Sequence, residues 1–227
     1  MRLRNVVLLA LAASSGLYAN LIQNGSFESL TLGGTFSTLS TGDTTSLPSW
    51  VVTGACGNNC ITVLRNGYTE NSGTLAFQPE DGLQSLDLTG SFNSLVGGVQ
   101  QTVASLTAGQ RYTLSFWVGN QDNQQSNYPS PSSVQVFVDG VSQGTFTNND
   151  FTPNQLTWRL ISLDFTAATT SAVIRFDNAT PLVDDEMGLD NVSLEVAAAG
   201  GVPEPGTFVL FGLSGAFLAF ARRTLRK

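Results

Sequence analysis

Residues 111–118 read RYTLSFWV. In an extended chain Tyr112, Leu114, Phe116 and Val118 fall on one side, and Arg111, Thr113, Ser115 and Trp117 on the other. A hydrophobic period of two is the mark of a half-buried strand and is incompatible with an amphipathic helix. The pattern recurs along the chain. SVQVFVDGVSQGTF, residues 133–146, is two alternating runs joined by Asp139-Gly140, the turn chemistry of a type I′ hairpin. Leu163 with Phe165, and Ile174 with Phe176, continue it. Between Asn20 and Val196 no stretch sustains a helical period, and short β-rich runs are separated by turn residues. The predicted strands are 21–23, 50–53, 61–64, 84–88, 98–103, 111–118, 133–138, 141–147, 157–165, 172–177 and 189–196. Such a succession without helices predicts an all-β fold: one antiparallel β-sandwich, with a Greek-key jelly roll as the expected topology and an immunoglobulin-like stack as the alternative.

The distribution of charge narrows the function. Charged residues make up only 12% of the chain, about half the usual fraction. Residues 20–201 hold four basic residues (Arg65, Arg111, Arg159 and Arg175) and sixteen acidic ones, a net charge of −12. Nucleic-acid binding requires clustered Lys and Arg to displace counterions from phosphates, so that class is excluded. The chain has no histidine. This removes Ser-His-Asp and Cys-His nucleophile arrangements and histidine-based zinc sites. Cys56 and Cys60 are the two cysteines. In an exported chain they are expected to form a disulfide that staples a short loop, leaving no free thiol. The expectation is therefore a protein that is not an enzyme. A glycoside hydrolase built on two carboxylates is the remaining catalytic alternative, and no pair among the sixteen acids stands out.

Both termini read as addresses. Arg2 and Arg4, an apolar core over 6–13 and small residues thereafter have the layout of a secretory signal peptide, with cleavage expected after Ala19. Eight apolar residues are too few to cross roughly 30 Å of hydrocarbon, which opposes an uncleaved anchor. At the other end, residues 208–221 are mainly apolar and as a helix would cover about 21 Å, short for a permanent span. Arg222, Arg223, Arg226 and Lys227 then place the extreme C-terminus on the cytoplasmic side. Ahead of the apolar run, Pro203 and Pro205 oppose helix and present Glu204 on an extended segment.

Val202, Pro203, Glu204, Pro205 and Gly206, followed by the apolar run and the basic cluster, resemble the PEP-CTERM sorting signal of Gram-negative bacteria. A similar tail occurs on some ice-binding proteins. The resemblance implies an exosortase-type membrane protease as partner and a precursor held in the inner membrane. It also implies a mature protein at the cell envelope, outer surface or biofilm matrix. The expected organisation is a signal peptide (1–19), a β-sandwich ectodomain (20–197), a linker with the sorting motif (198–207), a short transmembrane helix (208–221) and a cytoplasmic basic tail (222–227).

The ectodomain carries a second resemblance. It begins NLIQNGSFES and closes GLDNVSLEV, with Trp50, GLQSLDL and AGQRYTLSFWV between them. These elements are similar to the galactose-binding-like jelly rolls of carbohydrate-binding modules and of choice-of-anchor surface proteins. The resemblance implies a structural calcium, with Glu28 and Asp190 as its protein anchors and Asp184, Asp185 and Glu186 as further contributors. It also implies extracellular polysaccharide as ligand. Sugar sites combine an aromatic face with a few polar groups that set orientation. The long polar loop 119–133 offers Asn120, Asp122 and Tyr128 for that role, with a plain surface loop as the alternative. A structural matrix protein without a defined ligand is the alternative function. Phe27, Trp50, Leu189, Val192 and Leu194 are expected in the core, and Gly25 in a tight turn. The faces occupied by Trp117 and Trp158 stay open at this level.

Overall fold

The structure, a computed structural model, describes residues 19–70, 75–90, 97–121, 131–180 and 187–198. Residues 1–18 of the expected signal peptide, Asp122, Tyr128, Asp184 to Glu186, the sorting motif, the helix at 208–221 and the basic tail lie outside the described residues. The chain divides into two compact units, Met1–Val196 and Ala197–Lys227. Among the described residues no helix is long and apolar enough to cross a membrane.

Thirteen strands are described: β1 Phe36–Leu39, β2 Val51–Gly54, β3 Ile61–Arg65, β4 Tyr68–Glu70, β5 Leu75–Phe77, β6 Gln84–Asp87, β7 Gly97–Val103, β8 Arg111–Gln121, β9 Ser132–Val138, β10 Val141–Asn148, β11 Leu156–Thr166, β12 Ala172–Asn178 and β13 Met187–Val196. They form a six-stranded sheet ordered β1-β3-β6-β13-β8-β11, a five-stranded sheet ordered β10-β9-β12-β7-β2, and the small pair β4-β5. Every pairing within the two large sheets is antiparallel.

The inner faces of the two large sheets make the core. Tyr112, Leu114, Phe116 and Val118 of β8 face Val134, Val136, Ile174 and Phe176, all nearly inaccessible. Phe116 meets Phe176 edge-on at 5.0 Å between ring centres, and Phe27 meets Trp50 at 5.4 Å. Each buried ring contributes about 2 kcal/mol through burial. Strand β3 is buried on both sides. Ile61 and Val63 join the main core, while Leu64 packs with Phe77 and Tyr68 of the β4-β5 pair on the outside of the sheet.

Two findings depart from the sequence reading, and one position is needed for a reason the sequence does not show. The segment 21–23 is not a strand. It docks beside β13 through Leu21 N–H to Leu194 O and through Asn20, whose Oδ1 accepts the N–H groups of Ile22 and Leu194. Positive φ at Asn24 and Phe27 then breaks any extended run. Gly25 lies in the expected tight turn, closed by Phe27 N–H to Asn24 O at 3.2 Å, but not with positive φ. A Cβ there would lie 2.1 Å from Val192 O, so glycine is needed because two backbones meet. Strands β1, β4 and β5 were absent from the expected set because each is short and owes its place to packing on β3.

Candidate functional site

Among the residues expected to read sugar, Asn120 is buried and committed to the protein. Its Oδ1 accepts from Ser132 N–H and Oγ–H at 3.0 and 2.9 Å, and its Nδ2 donates to Asp150 O at 3.0 Å. It holds the base of the loop and presents no surface for hydroxyls. Trp158 packs against Gly119 and Gly188, where any Cβ would run into the ring, and donates Nε1–H to Gln78 O at 2.9 Å. Trp117 is opposite Leu160 on one side and Asp190 on the other, so all three share the outer face of the six-stranded sheet. The Cys56–Cys60 disulfide is formed.

Glu28 and Asp190 approach the same segment, residues 80–84. Glu28 Oε1 accepts N–H from Leu83 and Gln84, both at 2.7 Å. Asp190 Oδ2 accepts from Glu80 and Asp81 at 2.9 and 3.0 Å, and its Oδ1 accepts Asn191 N–H at 2.7 Å. Glu80 takes a hydrogen bond from Asn191 Nδ2, and Asp81 takes one from Ser26 Oγ. Burial pushes the Asp190 carboxyl up to about 7, against the pull of the Asp81, Asn191 and Glu80 N–H groups and with the neighbouring Glu80 carboxylate adding to the rise. The three ion pairs of the described residues involve none of these four acids. In charge the cluster suits a divalent cation. As the side chains stand, no three acidic or cysteine residues among those described converge to hold a metal.

A different surface gathers polar groups that the sequence reading did not single out. On the outer face of the five-stranded sheet, cross-strand register sets Val51, Gln100, Arg175 and Phe137 in one row. The next row is Thr53, Gly98, Asp177 and Gln135. Arg175 pairs with Asp177 at 3.2 Å and lies over the Phe137 ring at 4.2 Å. Burial raises the Asp177 carboxyl above its ordinary value, opposed by the Arg175 charge. Asp177 and Thr53 close over Gly98: a Cβ there would sit 2.5 Å from Phe176 O, 2.6 Å from Asp177 Oδ1 and 2.7 Å from Thr53 Oγ1. A carboxylate, a guanidinium, two amides, a hydroxyl and an aromatic ring thus share one partly exposed face. One signal was available in the sequence. In IRFD, residues 174–177, the alternation that buries Ile174 and Phe176 turns Arg175 and Asp177 outward together.

Residues 201–227 match the PEP-CTERM protein-sorting motif, which marks an exported protein made as a membrane-anchored precursor. Halomucin of Haloquadratum walsbyi is 29% identical over 119 residues, which is 52% of this chain and 1% of that protein. Among solved structures, TmCBM61 in complex with β-1,4-galactotriose aligns with TM-score 0.45 and 17% identity, covering 78% of this chain and 99% of that one. The CBM22-1 xylan-binding domain of Paenibacillus barcinonensis Xyn10C aligns with TM-score 0.44 and 14% identity, covering 81% and 97%. The jelly-roll expectation and the two-sheet architecture agree with a family match over residues 19–195 to the HpiC1-like model, described as HpiC1 cyclase. That match spans most of the chain, which belongs to the HpiC1-like family.

Proposed function

We propose that this exported protein is a non-catalytic binder of extracellular polysaccharide and holds the glycan on the outer face of its five-stranded sheet. The observation that carries this reading is the pair of rows around Gly98. An Arg175–Asp177 pair can accept and donate to adjacent sugar hydroxyls, Gln100 and Gln135 extend the polar rows, and Phe137 supplies apolar surface. The pair is neutral as a whole, which favours an uncharged glycan segment. Sorting by an exosortase-type protease would deliver this face to the matrix. A glycan array and exopolysaccharide pull-down with the wild type and with Arg175→Ala and Gln100→Ala test the reading. Binding that falls about tenfold or more in both variants, with unchanged melting temperature, supports it. Blank arrays, or variants that bind as the wild type does, overturn it.

A structural calcium belongs to the same proposal, with Glu28 and Asp190 as its anchors. Calcium supplies charge neutralisation where four carboxylates share one segment without an ion pair. Its addition should raise the melting temperature, and Glu28→Gln should reduce that rise. Equal melting in calcium and in chelator removes it.

A second reading rests on Asp190 and on the family's description as a cyclase. A buried carboxyl that titrates near neutrality beside Trp117 is suited to donate a proton during ring closure. Calcium bound at Asp190 would hold that carboxyl ionised, so the two roles exclude one another. Turnover of a cyclisable substrate that Asp190→Asn abolishes in calcium-free buffer would establish the catalytic role.

A further inference from the structure

A second recess lies away from the sheet faces. Residues 28–32 pass beside the end of β3 and the start of β6, and a cleft of about 190 Å³ opens between them. Leu30, Leu32 and Leu83 form its apolar walls, and Glu28, Arg65 and Gln84 bring its polar groups. Leu83 is 51% exposed and offers its side chain to the cleft. Gln84 is 93% buried, since its exposure is 7%. Its Nε2 donates to Glu28 O and Leu30 O, which fixes the amide, while its Oε1 has no hydrogen-bond partner. The amide thereby holds residues 28–30 against the start of β6 and fixes the cleft's floor. Arg65 is exposed and takes part in none of the ion pairs among the described residues, so its guanidinium stands available at the rim.

We infer that this cleft binds a small zwitterion with an apolar side chain, of the free amino-acid class. The three requirements are met by different residues. Arg65 receives the carboxylate, and its planar fork suits two oxygens. The Glu28 carboxylate accepts hydrogen bonds from the ammonium. Leu30, Leu32 and Leu83 cover the side chain. The volume corresponds to about six waters at ~30 Å³ each, the space of one small amino acid and too little for an oligosaccharide. A simple anion would meet the Glu28 carboxylate and a simple cation would meet Arg65, so opposite charges on one molecule complement the cleft better than either alone. This site is separate from the sheet face assigned to polysaccharide and does not depend on that assignment.

The test is saturation-transfer NMR and calorimetry on the full-length protein in detergent, in EGTA because calcium would compete for Glu28. The probes are L-leucine, 4-methylpentanoate, which lacks the ammonium, 3-methylbutylamine, which lacks the carboxylate, and glycine, which lacks the side chain. L-leucine should bind with a millimolar Kd, and each of the other three about tenfold or more weaker. Arg65→Gln should weaken L-leucine by about tenfold while leaving 3-methylbutylamine and the melting temperature unchanged. Absence of L-leucine binding overturns the inference. So does equal binding of either single-charge analogue, or undiminished L-leucine affinity in Arg65→Gln. No polysaccharide enters the assay, so its failure and that of the glycan reading are read independently.

Discussion

At the scale of single residues, local chemistry decides several positions that alternation does not address. Asp43 closes a turn by accepting hydrogen bonds from Thr45 and Ser46, both backbone and side chain. Burial works to raise its pKa, but these bonds outweigh it and hold the carboxyl down to about 2. Its folded pKa lies below the ordinary value, so its stabilisation is present above pH ~4 and is lost as pH falls towards 2. Asp43→Ala should cost about 1 kcal/mol at pH 7, as loss of a capping carboxylate does, and progressively less as pH falls through 2. Thermal unfolding of both proteins across that range checks this. Gly25→Ala should be worse, because the new methyl meets a backbone carbonyl that cannot swing aside. A loss of about 3 kcal/mol is expected in denaturant titration. The sequence reading places Gly25 in a turn but does not single out Asp43. The need for glycine at 25 exists only because Val192, far along the chain, is its neighbour.

At the scale of elements, long alternating strands were legible and short ones were not. Strands β8, β9, β10, β11, β12 and β13 each contain a run whose period of two buries one face, and their centres lie where the sequence places them. Asp139 and Gly140 both take positive φ, as a type I′ turn requires. Strand β1, FSTL, buries only Leu39, so its sequence carries too little pattern to announce a strand. Strand β3 breaks alternation for the opposite reason, since the β4-β5 pair covers the face that would otherwise meet water. The loop between β2 and β3 is stapled by Cys56–Cys60, and Thr41 is held against it through its Oγ1 on Cys60 Sγ and its N–H on Gly57 O. Replacing both cysteines by serine should cost about 2 kcal/mol, the loop entropy of a five-residue ring. The fall should appear in the melting temperature of the oxidised protein and vanish in reductant.

At the scale of the whole molecule, a basic-poor ectodomain is joined to a tail that matches a sorting motif. The short apolar run suits a span that is held only until the protein is processed. Mature protein recovered from the cell exterior should lack residues 208–227, and Glu204→Ala should leave a membrane-bound precursor. Intact-mass measurement of the secreted protein and of the membrane fraction checks both outcomes.

The sequence by itself determined the all-β class, the sorting tail, the disulfide and most of the buried positions. Each of these is a local property: a period of two, an ordered run of proline, apolar and basic residues, or two cysteines separated by three residues. Only the tertiary structure decided which polar groups meet. Thr53, Gly98, Asp177 and Gln135 come from four different strands and share a row only because β2, β7, β12 and β9 pair in one register. Asn120, read as a hydroxyl-binding residue, became a buried loop anchor for the same reason. Sheet order and register follow from packing across the whole core, and no short window of residues contains that information.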